Sequence, residues 1–116
     1  MTENSSLGQT KQEEIVSKFQ GMRLELQKLA SKVGEFEVER DEHKLVIDSI
    51  SELENERKCF RLINGILVEM TVGNVKPILQ QNVENLTKLL NNFLETYKEK
   101  EKEMLQFQEK WKIKIS

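Results

Sequence analysis

Residues 57–72 read RKCFRLINGILVEMTV, an apolar stretch between two long segments rich in Glu, Lys and Gln. The dipeptide Asn64-Gly65 at its centre is the one preferred in a two-residue type I′ turn, because both central residues of that turn need positive φ. Apolar residues on both sides of the dipeptide predict a β-hairpin over about 58–71.

Both faces of this hairpin are largely apolar. With Ile63 opposite Ile66, the alternation of side chains along each strand separates two faces. The first face holds Arg61 together with Cys59, Ile63, Ile66, Val68 and Met70. The second face holds Glu69 together with Phe60, Leu62 and Leu67. An isolated two-stranded hairpin is marginal in water, and its unpaired edges invite pairing with other strands. We therefore predict that the apolar side chains of both faces are a subunit-assembly site, through which hairpins of several subunits form an intersubunit β-barrel.

Seven-residue repeats flank the hairpin on both sides. Before it, apolar residues alternate in steps of four and three, continuing after polar Arg40 and His43: Ile15, Phe19, Met22, Leu26, Leu29, Val33, Phe36, Ile47 and Ile50. After it, Lys100 is the one interruption in a second such series: Leu79, Val83, Leu86, Leu90, Phe93, Tyr97, Met104, Phe107 and Trp111. The polar seam residues either fix the register or reach water along their aliphatic stems, and we favour the second for the two cations.

These repeats predict two helices, over about 12–55 and about 74–114. A seam only two positions wide in every seven suits one partner helix, and the obvious partner is the other half of the same chain. The predicted fold is therefore mainly α with a small β element. It is a long antiparallel two-helix coiled coil with one β-hairpin between the helices.

The ends of the helices follow from local signals. Thr10 with Glu13 three residues later has the form of a capping box, so residues 1–9 are expected to be a disordered tail ahead of a single domain over 10–116. For the second helix, Thr71 and Asn74 are alternative N-caps. Asn74 costs less, because it places Pro77 in the first turn, where no intrahelical donor is lost.

Composition argues against several classes of function. The net charge of −2, from 18 basic and 20 acidic side chains, indicates neither nucleic acid nor an anionic membrane as a partner. His43 is the only histidine and Cys59 the only cysteine, so a metal site, a catalytic constellation and an internal disulfide are not expected. The first ten residues have neither a basic start nor an apolar run, so we expect no secretion signal and an intracellular protein. Without a site constellation we do not expect an enzyme.

The order helix, single hairpin, helix, with RKCFRLINGILVEMTV as the hairpin and a Pro shortly after it, resembles a β-type prefoldin subunit. The segment DEHKLVID at 41–48, followed by ERKCFR and GILVE, strengthens the likeness, which covers about 12–115. The chain departs from similar proteins at Asn74, where they often carry Glu and so a fuller capping box.

This resemblance implies a heterohexamer of two α-type and four β-type subunits, so the expected partners are two α-type and three further β-type chains. In such complexes the hairpins form a double β-barrel platform that carries six coiled-coil arms. The resemblance further implies ATP-independent capture of unfolded clients, actin and tubulin among them, and their delivery to the cytosolic chaperonin. It implies a cytoplasmic location and no cofactor.

The free end of the predicted arm is the candidate client-binding site. Antiparallel pairing brings large apolar residues together there, with Ile113 off the seam and a better candidate for exposure than the seam residues: Ile15, Phe19, Met22, Phe107, Trp111, Ile113 and Ile115. Large aromatic and Met side chains suit adaptable binding to varied chains. For Phe19 and Phe107 a purely structural role in the seam stays open. So does a second function for the whole chain, a structural coiled-coil adaptor without client binding.

Overall fold

The computed structural model describes the backbone of residues 2–114 and the side chains of residues 10–114. Four elements follow one another along the chain: α1 Thr2–Ile50, β1 Lys58–Ile63, β2 Ile66–Thr71 and α2 Val72–Lys110. The predicted order of helix, hairpin and helix is confirmed.

The chain forms two compact units. The first, here called the arm-end unit, combines Met1–Val33 with Asn92–Ser116. The second, here called the hairpin unit, is Gly34–Asn91 and contains both strands. Neither described helix carries an apolar stretch of the length needed to cross a bilayer.

The predicted seam of α1 agrees with the burial of its side chains. Between residues 10 and 50, the side chains that are buried or half-buried are those of the predicted seam, Arg40 and His43 included. Phe19 and Leu26 are the buried seam residues of the arm-end unit on this helix. In α2 the seam residues from Leu79 to Phe107 are likewise buried or half-buried. Each helix therefore presents the narrow apolar face that a two-helix coiled coil requires.

The bounds of α1 differ from those predicted. The helix begins at Thr2 rather than near residue 12, so Thr10 lies inside it and is not its N-cap. No Pro interrupts residues 2–9, and extending an established helix costs far less than starting one. The helix ends at Ile50 rather than near 55, where the Ser51 hydroxyl donates a hydrogen bond to the Asp48 carbonyl oxygen at 2.9 Å.

The hairpin has the predicted register. Cys59 pairs with Met70 and Ile63 with Ile66 in an antiparallel ladder that closes at the base on Lys58 and Thr71. The two turn residues have φ values of 50° and 80°, as a type I′ turn requires.

The start of α2 corrects the prediction that Asn74 is the N-cap. The cap is Thr71, whose Oγ1 accepts a hydrogen bond from the Asn74 amide at 3.3 Å. The amides of Val72 and Gly73 donate to the carbonyl oxygens of Arg57 and Asn55, each at 2.9 Å. Three first-turn donors are thus satisfied, which offsets the one hydrogen bond that Pro77 removes in the second turn.

This earlier start also extends the core of the hairpin unit. Val72 and Val75, which the predicted seam omitted, are buried together with Leu79 and Leu90. Their burial places the first turn of α2 in the core rather than in a connecting loop.

Candidate functional site

The second face of the hairpin is exposed. Phe60, Leu62 and Leu67 are 64%, 69% and 65% exposed, although each is a large apolar side chain. Among the described residues, the only charged pair on this face joins the Lys58 ammonium to the Glu69 carboxylate at 3.6 Å. An apolar patch with a polar rim of this kind is typical of a protein interaction surface.

The first face is covered at its base and open near its turn. Ile63, Ile66 and Val68, towards the turn, are exposed. Cys59, Arg61 and Met70, towards the helices, are half-buried. The hairpin therefore leaves apolar surface on both faces, as the sequence predicts.

The residues of the second face are also those whose backbone N–H and C=O groups point away from the partner strand. Ile63 and Ile66 flank a two-residue turn and form a hydrogen-bonded pair, so the next pair, Leu62 and Leu67, points its backbone N–H and C=O groups outwards. With the period of two, the outward groups of β1 fall at residues 58, 60 and 62, and those of β2 at 67, 69 and 71. A neighbouring strand could thus bond to either edge.

The arm-end unit shows antiparallel contacts between its two helices. The Lys11 ammonium lies 5.7 Å from the centroid of the Trp111 ring, and the Lys18 ammonium lies 5.3 Å from that of Phe107. Seven residues further from the arm end on each helix, the Lys100 ammonium bonds the Glu25 carboxylate at 2.7 Å. Lys11, Lys18 and Glu25 recur every seven residues at a position that flanks the seam, where charged side chains bridge the helices of coiled coils.

The Lys100 ammonium leaves the seam and pairs with Glu25 of the other helix, with 36% of the Lys100 side chain exposed, so it does not simply reach water. Its hydrogen bond to Glu25 and the negative charge of that carboxylate raise the Lys100 pKa above its ordinary value of 10.5. The other polar seam residues, Arg40 and His43, instead find partners on their own helix. The Arg40 guanidinium contacts Asp41 at 3.2 Å, and the His43 Nδ1 donates to the Glu39 carbonyl oxygen at 2.7 Å.

The structure brings three of the predicted client-binding residues together. Ile15, Trp111 and Ile113 line an open hollow of about 660 Å³, with Lys11 and Lys114 at its sides. Phe107 is half-buried beside it, with its ring centroid 6.4 Å from that of Trp111.

The remaining predicted client-binding residues are placed differently. Phe19 is only 3% exposed and belongs to the core of the arm-end unit, so its place is that of a seam residue. Met22 is half-buried in the seam. Ile115 lies outside the described residues.

The order of exposure at this end corrects the prediction for Ile113. Trp111 is the exposed residue, at 38%, whereas Ile113 is half-buried. The cause is the C-terminal cap of α2, in which Lys112 takes a left-handed conformation with φ 51°. The Ile113 amide then donates to Gln108 O at 3.0 Å and the Lys112 amide to Glu109 O at 3.2 Å, a Schellman motif that turns the chain back on the helix.

Sequence reasoning missed the lysines around the aromatic rings. The Lys110 ammonium lies 5.3 Å from the centroid of the Trp111 ring, in addition to that of Lys11. The signal available was the spacing of Lys11 and Lys18, seven residues apart beside the seam. Within residues 10–114, no group of three or more His, Cys, Asp or Glu side chains is arranged to hold a metal ion.

Comparison with known proteins agrees with this architecture. The family model described as prefoldin subunit matches residues 13–116. The chain belongs to the prefoldin subunit family. This prefoldin subunit is 39% identical over 106 residues to probable prefoldin subunit 2 of Schizosaccharomyces pombe, which covers 91% of this chain and 93% of that protein. It is also 39% identical over 108 residues to prefoldin subunit 2 of Homo sapiens, covering 93% of this chain and 70% of that protein.

A solved structure shows the same fold. The crystal structure of the prefoldin beta subunit from Thermococcus strain KS-1 matches with a TM-score of 0.74 and 16% sequence identity, over 84% of this chain and 86% of that chain. The resemblance to a β-type prefoldin subunit is thereby confirmed. Membership in the family gives this prefoldin subunit a chaperone-associated role and other prefoldin subunits as assembly partners, and the family is not one of enzymes.

Proposed function

We propose that this prefoldin subunit is one of four β-type chains in a cytoplasmic heterohexamer with two α-type chains. The complex captures unfolded polypeptides, such as actin and tubulin, without ATP and delivers them to the cytosolic chaperonin. The hairpin assembles the complex as part of an intersubunit β-barrel, and the arm end contacts the client. The observation that carries the proposal is the exposure of apolar side chains on both faces of the hairpin.

Burial of the second face alone supplies a substantial driving force for assembly. Complete burial of a Leu or Phe side chain contributes about 1.5–3 kcal/mol. Phe60, Leu62 and Leu67 are each about two-thirds exposed. Covering the three therefore contributes roughly 3–6 kcal/mol before the cost of association. The free strand edges add hydrogen bonds to a neighbouring strand.

The arm end has the chemistry expected of a weak, adaptable client site. Trp111 offers a large exposed ring, and Ile15 and Ile113 provide an apolar floor beside it. Lysines border the rings on several sides, so a client segment with apolar and acidic residues finds complementary groups. Phe19 and Met22 would reach a client only where the helix ends open, since both lie in the seam. Several such ends acting together would hold one client by avidity.

Assembly is tested by the double substitution Leu62→Asp with Leu67→Asp, expressed in the source cells and followed by native mass measurement of the purified complex. The hexamer should be lost because two charges cannot enter an apolar interface, while circular dichroism should still show helical arms. Leu24→Asp is the matched control, because Leu24 is an exposed leucine of α1 that lies outside the hairpin. A complex of unchanged mass with the hairpin variant would favour the coiled-coil adaptor, which assembles through its helices.

Client capture is tested with the assembled complex. Trp111→Ala combined with Ile113→Ser should weaken the suppression of aggregation of denatured actin, measured by light scattering without ATP. Leu105→Ala is the control, because Leu105 is an exposed apolar residue of α2 away from the hollow. Equal suppression by the arm-end variant and the control would show that these residues do not hold clients.

A further inference from the structure

One charged side chain lies within the first face of the hairpin. Arg61 stands opposite Val68 in the ladder, and the face around it is otherwise apolar. The residue is half-buried already in the single chain. The only carboxylate of either strand, that of Glu69, projects from the opposite face and lies 3.6 Å from the Lys58 ammonium. No carboxylate among residues 10–114 is within ion-pair distance of Arg61.

An arginine in this position is costly once the face is covered. Arginine side chains keep their charge in proteins, so the cost of burying one is not relieved by loss of a proton. Assembly through the hairpin, on which this inference rests, buries the first face and removes water from that charge. A buried charge without a partner is strongly destabilising, whereas a bidentate carboxylate restores much of the lost solvation.

The first face of a second copy of this chain cannot supply that carboxylate. It offers the same residues, and none of them is acidic. Packing two such faces together would place two guanidinium groups in one apolar layer. Like charges brought together in this way oppose self-association and favour a partner of different sequence.

We propose that Arg61 determines which subunit this hairpin accepts. The first face docks onto the hairpin of a different prefoldin subunit that presents an Asp or Glu on its own apolar face. That carboxylate pairs with the Arg61 guanidinium, and its absence from the first face of a second copy disfavours homo-oligomers that form through this face. Arg61 thus contributes selectivity among partners, while the surrounding apolar side chains contribute affinity.

The first test measures self-association of the isolated full chain by sedimentation velocity over a range of concentrations. Arg61→Met keeps a long apolar side chain and removes the charge, so homo-oligomers should form at concentrations at least ten-fold lower than for the unmodified chain. Arg57→Met is the matched control, because Arg57 is exposed and precedes β1. No gain in self-association with Arg61→Met, or an equal gain with Arg57→Met, would overturn the inference.

The second test uses the complex purified from the source cells. Arg61→Glu should reduce incorporation of the chain at least ten-fold, and Arg61→Lys should retain more of it because the positive charge remains. Replacing the facing Asp or Glu of the neighbouring subunit by Arg should restore incorporation of the Arg61→Glu chain.

The outcomes separate this inference from the proposed function. Undiminished incorporation of Arg61→Glu, with loss of the Leu62→Asp and Leu67→Asp double variant, would refute the role of Arg61 and leave hairpin assembly standing. Undiminished incorporation of both would refute hairpin assembly itself. A neighbouring hairpin without any acidic residue on its apolar face would also refute the inference.

Discussion

The same chemical change, Gly to Ala, should have opposite effects at two kinds of position in this chain. Gly21 and Gly34 lie in the interior of α1 and are exposed, and a Cβ at either would meet no atom within 4 Å. Gly in a helix interior is about 1 kcal/mol less favourable than Ala. The two sites are about 20 Å apart along the helix, so their effects should add. Gly21→Ala with Gly34→Ala should therefore stabilise the chain by about 2 kcal/mol.

Gly73 in α2 should behave differently. A Cβ there would lie 3.1 Å from Asn55 Cβ and 3.2 Å from Asn55 O. That carbonyl oxygen is held by its own hydrogen bond from the Gly73 amide at 2.9 Å, so it cannot move away without losing the bond. Overpacking costs about 1–3 kcal/mol, which exceeds the gain in helix propensity of at most about 1 kcal/mol. Gly73→Ala should thus destabilise the chain by about 1 kcal/mol.

Urea denaturation of the full chain, followed by circular dichroism at two protein concentrations, distinguishes these outcomes. In a thermal melt of the same chains, a stabilisation of about 2 kcal/mol corresponds to a rise in Tm of roughly 8 °C for a chain of this size. The reasoning would be refuted if Gly73→Ala raised stability as much as Gly21→Ala alone. That result would show that the contact with Asn55 does not constrain the start of α2.

Three further predictions concern single contacts. Glu25→Gln should lower the pKa of Lys100, measured by NMR titration of its side chain. Because the folded-state pKa is raised above 10.5, the stabilisation from this pair is present below pH 10.5 and is lost as pH rises through the folded-state pKa, so the stability difference between the two chains should vanish there. Thr71→Ala should cost about 1 kcal/mol in denaturation experiments through loss of the N-cap of α2, whereas Thr71→Ser should be nearly neutral. Lys112→Gly should slow amide hydrogen exchange at the end of α2 by roughly five- to thirty-fold, since relief of about 1–2 kcal/mol of left-handed strain favours the cap; Lys110→Gly should speed that exchange.

The sequence was most informative where a periodic pattern met a strong local signal. Asn64-Gly65 predicted the turn, and the turn then determined every pairing of the ladder. The alternating steps of four and three predicted the seam of α1 even through Arg40 and His43. Both predictions extend over many residues, because strand and helix side chains return to the same face with fixed periods.

The ends of the elements were less predictable, since they depend on residues distant in the chain. Asn74 was the cheaper N-cap on local grounds, but the carbonyls of residues 55 and 57 satisfy the amides that make Thr71 the cap. At the arm end, the left-handed Lys112 exchanged the expected exposures of Trp111 and Ile113. Neither the backbone hydrogen bonds at residues 55 and 57 nor the left-handed conformation of Lys112 can be predicted from a periodic pattern.

The polar closure at the base of the hairpin has an evolutionary consequence. Backbone groups, not side chains, tie residues 55 and 57 to the first turn of α2, and the ladder above them begins at Lys58 and Thr71. The strand residues between these points can change while the junction stays intact. Duplicated genes could thus diverge into chains with distinct pairing preferences by altering only the codons of residues 59–63 and 66–70, without rebuilding either helix.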